Sequence, residues 1–109
     1  MLAELKALHS PDIFDLENYK PETEEFSFLL EVMVGPKDME GEESFGVEVC
    51  TSSWLGNTYD KSDIIIGRHF LIIREYNYER LLNFIKNYMR QCTGKTWDEV
   101  AGKVSRLGM

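Results

Sequence analysis

The sequence predicts an α+β fold of about four mainly antiparallel strands, with two C-terminal helices packed on one face. Three observations predict it. Apolar residues alternate with a period of two through much of the chain, and the period changes to helical spacing after Asn77. The 109 residues fit one domain, residues 1–109. Strands first and helices last is the order of an antiparallel sheet with its helices on one side.

Each element follows from its residues. Residues 1–8 carry Leu2, Leu5 and Leu8 among Glu4 and Lys6 and read as a first strand, which His9-Ser10-Pro11-Asp12 ends as a turn. Residues 12–25 are a polar connector bearing Asp12, Asp15, Glu17, Glu22, Glu24 and Glu25, and Pro21 prevents one continuous helix there. Residues 26–34 alternate, with Phe26, Phe28, Leu30, Val32 and Val34 on one face. Gly35-Pro36 ends that strand. An acidic loop over residues 37–43 leads into a second alternating run, residues 44–51, with Phe45, Val47 and Val49 pointing one way. The two runs read as a hairpin.

Thr51-Ser52-Ser53 offers hydroxyl caps for a short helical turn through Trp54 and Leu55, closed by Gly56-Asn57. Residues 63–76, rich in isoleucine, read as one long strand in which Gly67 marks a bulge. After Asn77, a good N-cap, Tyr78, Leu81, Leu82, Ile85, Tyr88, Met89 and Cys92 recur at helical spacing. Gly94 stands where a helix C-terminal glycine belongs. Thr96-Trp97-Asp98-Glu99 matches a capping box, opening a shorter helix whose face is Trp97, Val100, Ala101, Val104 and Leu107. Docking is expected through Leu81, Leu82, Ile85, Trp97 and Val104.

If helices cover one face of the sheet, the other keeps an apolar strip drawn from Leu29, Met33 and the long strand. The acidic connector is the expected cover, and a second copy or a partner protein are the alternatives.

Composition narrows the function classes. Nineteen Asp and Glu face twelve Lys and Arg, a net charge of −7. Such a surface repels phosphate backbones and anionic lipid, so nucleic acid and membrane are poor direct partners, while a basic protein is attracted. No apolar run approaches membrane-spanning length and no signal segment opens the sequence. The expectation is a cytoplasmic chain with Cys50 and Cys92 reduced and buried as small hydrophobes.

Catalytic signal is sparse. His9, Ser10 and Asp12 are triad residue types, but they are almost consecutive and read as a turn. Cys50 and His69 can meet across neighbouring strands as an activated thiol, yet no glycine-rich turn or helix start beside them offers an oxyanion site. Asp38, Glu40, Glu42 and Glu43 crowd a loop around Gly41 without the order of a calcium-binding EF-hand. They read as a solvated or recognition loop. There is no P-loop, dinucleotide glycine pattern, CxxC or HExxH, so neither a cofactor nor a metal is expected.

Several segments, in order, resemble the bacterial immunity protein 8 family of polymorphic toxin systems. They are residues 8–12 (LHSPD), 35–37 (GPK), 41–45 (GEESF), 49–51 (VCT) with Trp54-Leu55, 67–69 (GRH), Glu75-Tyr76, Tyr88, Gln91-Cys92 and Trp97. Members of that family commonly continue into a short aromatic and acidic tail, and this sequence stops at Gly108-Met109. The resemblance implies an inhibitor that neutralises a co-encoded toxin by direct binding, and it supplies no contact residues. From the residues themselves, the contacts expected are Asp38, Glu40, Glu42 and Glu43 for charge, with Trp54 and Tyr59 as aromatic anchors. The competing classes are a homo-oligomeric scaffold, such as a homodimer through the apolar sheet face, and a small enzyme using Cys50 and His69.

Overall fold

The computed structural model describes residues 1–59 and 64–109. One sheet runs in the order β1 (Ala3–His9), β2 (Ser27–Pro36), β3 (Glu43–Thr51), β4 (Phe70–Ile73). The helices are α1 (Ser52–Thr58), α2 (Tyr78–Arg90) and α3 (Trp97–Val104). The α+β class, the mostly antiparallel sheet and the C-terminal helix pair agree with the sequence pattern. β1 pairs antiparallel with β2, and β2 with β3.

Alternation does the sorting. Phe28, Leu30, Val32 and Val34 of β2 and Phe45, Val47 and Val49 of β3 are buried on one face, and the register sets Leu30 opposite Val47 and Val32 opposite Phe45. Leu81, Ile85 and Met89 of α2 and Val100 and Val104 of α3 join the same core. Fully burying each such side chain contributes roughly 1.5–3 kcal/mol. The helices start where their caps stand. The Asn77 side chain accepts the Arg80 N–H at 3.0 Å, and the Thr96 hydroxyl accepts the Glu99 N–H at 3.3 Å.

Several expectations are corrected. Leu82 is only half-buried, because the buried stripe of α2 runs through Leu81, Ile85 and Met89 and leaves Leu82 on its flank. Glu99 reaches back to the Lys95 N–H at 2.8 Å rather than to that of Thr96. Gly94 does not end α2, whose C-cap is Gln91. Its missing Cβ makes room instead for Glu99, whose own Cβ would stand 2.7 Å from a side chain at position 94.

The long strand expected over residues 63–76 is the four residues of β4, and it pairs parallel to β3. Asp63 lies outside the described residues, and Ile64–Gly67 are not in a strand. His69 has φ 63°, a left-handed conformation that extended backbone cannot contain, so β4 starts only after it. A parallel pair also requires a crossover, and the connection that carries α1 provides it.

The connector is corrected too. Ile13 and Leu16 are buried in the helix-side core, and Tyr19 packs edge-on to Phe28 and Tyr76 at centroid distances of 5.8 and 5.0 Å. The Tyr76 hydroxyl donates to the Leu16 carbonyl. The connector therefore reinforces the helix-covered face and does not cover the other.

Candidate partner-binding surface

The acidic loop is a built turn. Asp38 has φ 61° and Gly41 φ 105°. Met39 N–H donates to the Pro36 carbonyl at 3.3 Å, and Lys37 N–H to the Leu2 carbonyl at 2.8 Å. Lys6 is the extra residue of a bulge in β1. Its amine donates to the Met39 carbonyl at 3.0 Å and pairs with Glu4 at 2.9 Å. Gly41 folds so tightly onto Gly35 that a Cβ on Gly35 would stand 2.0 Å from the Gly41 carbonyl oxygen. This frame leaves Asp38, Glu40 and Glu42 exposed at one end of the sheet. Glu43 differs, since its carboxylate accepts the Trp97 Nε1–H at 2.7 Å and ties β3 to α3.

The aromatic pair sits elsewhere. Thr51 caps α1 by accepting the Trp54 N–H at 3.3 Å, and Asn57 donates to Glu25 at 3.0 Å, which pins the helix to the connector. The Trp54 and Tyr59 rings meet edge-on at 6.4 Å, and Tyr59 meets Phe70 of β4 at 6.5 Å. Phe70 stands opposite Glu48 of β3, so these rings lie beside the middle of the sheet. Glu43 and Glu48 are about 17 Å apart at about 3.4 Å per strand residue. The structure thus brings Trp54 and Tyr59 together and sets them apart from the acidic loop.

By alternation, Leu29, Glu31 and Met33 of β2, Gly46, Glu48 and Cys50 of β3, and Phe70 and Ile72 of β4 point away from α2 and α3. Sequence reading had named Leu29, Met33 and the apolar β4 residues but missed Glu48. It sits in the row Leu29–Glu48–Phe70 across three strands. Burial, then the negative charge of Asp12, pushes its carboxyl above the usual carboxylate range. Asp12 itself accepts the Leu29 N–H at 2.8 Å, taking over the edge of β2 where β1 has ended. No local pattern marks Glu48, because its apolar flanks, Leu29 and Phe70, stand on the adjoining strands.

Cys50 and His69 are not assembled as a pair. Cys50 is buried, and burial followed by the Glu48 charge pushes its thiol up, which opposes a thiolate. The His69 ring donates from Nε2 to the Ser105 carbonyl at 2.9 Å. At the first turn, Ser10 accepts the Asp12 N–H at 3.1 Å, as a turn requires. Among the described residues no group of three or more His, Cys, Asp or Glu gathers in metal-holding geometry, and no helix is long and apolar enough to cross a membrane.

The sheet is thus packed on one face by α2 and α3 and bears carboxylates and apolar side chains on the other. The chain belongs to the family described as Immunity protein 8, which it matches over residues 3–109. Membership implies an immunity protein, and with it a toxin partner. No curated protein and no solved structure matches the chain.

Proposed function

We propose that this chain, acting as one domain in the cytoplasm, binds and neutralises the toxin domain of a bacterial polymorphic toxin system in the cell that makes both. It does so by direct contact and without catalysis. The observation that carries this reading is the family match over essentially the whole chain. The net charge of −7 supports a toxin with a basic surface, the kind a nuclease uses to hold phosphate. Asp38, Glu40 and Glu42 stand free on a rigid turn and speed the encounter, since complementary charge acts mainly on association. Trp54 and Tyr59 supply apolar contact area.

The test is co-expression in a bacterial host of this chain with the toxin encoded beside its gene. Wild type is expected to restore growth. A variant with Glu40, Glu42 and Asp38 changed to Lys is expected to associate more slowly at low salt. Failure of wild type to rescue growth would refute the immunity reading. Rescue with an unchanged association rate in the Lys variant would remove the loop from the contact.

A further inference from the structure

We propose that the sheet face opposite α2 and α3 is the docking surface for the toxin, and that Glu48, walled by Leu29 and Phe70, receives an arginine side chain of the toxin. This rests on the immunity reading above and locates the contact within it.

Three observations converge on Glu48. First, it is half-buried between two large apolar neighbours, and its carboxylate has neither a hydrogen bond nor an ion pair among the described residues. A carboxylate stripped of part of its hydration is costly unless a cation or donor meets it. Second, the chain has no cation placed to meet it among the described residues. The one ion pair there is Lys6 with Glu4, and Lys6 is also held by the Met39 carbonyl. Asp12 and Glu31 add negative charge to the same face or its margin. Third, Phe70 is the end of the Trp54–Tyr59–Phe70 run of edge-on rings, with Tyr59 37% exposed and Ile72 of the same face 52% exposed. The connector, the expected cover of this face, packs Ile13, Leu16 and Tyr19 on the other one.

Carboxylate beside aromatic rings defines the occupant. A guanidinium is planar, donates to a carboxylate through a two-pronged fork and stacks on ring faces, which an ammonium does less well. A second copy fits poorly. A two-fold contact sets the same patch against itself, here Glu48, Glu31 and Asp12 against their equals in two chains each carrying −7. Nucleic acid is repelled for the same reason. The exposed loop then governs the rate of encounter, and the slot around Glu48 governs how long the complex lasts.

The experiment uses the full chain and the neighbouring toxin domain purified as a catalytically inactive variant. Glu48→Gln keeps the shape and removes the charge. It is expected to weaken binding by about tenfold or more, mainly through faster dissociation, with a thermal midpoint unchanged or raised. Tyr59→Ala is expected to weaken binding in the same way. Glu42→Gln is expected to change the association rate and leave dissociation alone. Unchanged affinity in Glu48→Gln overturns the proposal, as does a loss of affinity that appears only together with a lower midpoint. A free chain that sediments as a dimer, tightened by Glu48→Gln, shows that the face receives a second copy and overturns it too. If wild type neither binds the toxin domain nor rescues growth, the immunity reading falls and takes this assignment with it. Rescue by wild type and by Glu48→Gln alike removes this assignment alone.

Discussion

Replacing Gly35 with alanine separates the shape of the acidic loop from its charge. Gly35 is buried in β2, and an added Cβ would stand 2.0 Å from the Gly41 carbonyl oxygen and 3.1 Å from the Lys6 side chain. Real Cβ atoms essentially never come closer than 3.0 Å to such a neighbour, so the loop backbone must move by at least about 1 Å. The atom in the way belongs to the backbone, and Lys6 and Lys37 tie that turn to β1, so the move cannot be made by one side chain swinging aside. Overpacking of this kind costs roughly 1–3 kcal/mol. For a chain this size that lowers the thermal midpoint by roughly 5–15 °C. Circular dichroism melting measures it. Gly41→Ala makes a useful comparison, because it has open space but φ 105°, so its cost is backbone strain alone. No change in the Gly35→Ala midpoint would refute the reasoning. If the loop acts only by charge, Gly35→Ala should keep a near-normal association rate with the toxin domain despite its lower midpoint.

Other outcomes follow from the same packing. Ile85→Ala should cost roughly 2–5 kcal/mol in urea unfolding, and Leu82→Ala distinctly less, because only Ile85 is fully buried; equal losses would overturn the assigned face of α2. Burial, with help from nearby negative charge, pushes the Tyr76 phenol up to about 12 in the folded chain. The folded state therefore holds this proton more tightly than the unfolded state, and its stabilisation is full below the ordinary tyrosine range and lost as pH climbs through it to about 12. Tyr76→Phe should flatten that alkaline loss in denaturant titrations. Both thiols are buried and pushed up by burial, so Cys50 and Cys92 should label slowly in the native chain and fast once it is unfolded; fast native labelling would contradict their placement.

Local chemistry carried much of this fold openly. Period-two alternation placed Phe28, Leu30, Val32, Val34, Phe45, Val47 and Val49 on one buried face, since adjacent strand residues must point to opposite sides. Asn77 and Thr96 marked helix starts because their short polar side chains satisfy the first free N–H groups of a helix. Family membership was also readable, from short segments in order along the chain. What stayed out of reach was anything decided by residues far apart in sequence. Ile64, Ile65 and Ile66 have strand chemistry, but a strand needs a neighbour to pair with, and the left-handed His69 sets the start of β4 beyond them. The same distance effect hid Glu48. Its own surroundings in the sequence, Val47 and Val49, reveal only a strand. Its meaning comes from Leu29 and Phe70, which the hairpin and the parallel crossover bring to either side of it, and from a connector whose Ile13, Leu16 and Tyr19 fold against the opposite face. Burial and charge partnership are properties of a neighbourhood, and only the folded chain decides which neighbours meet.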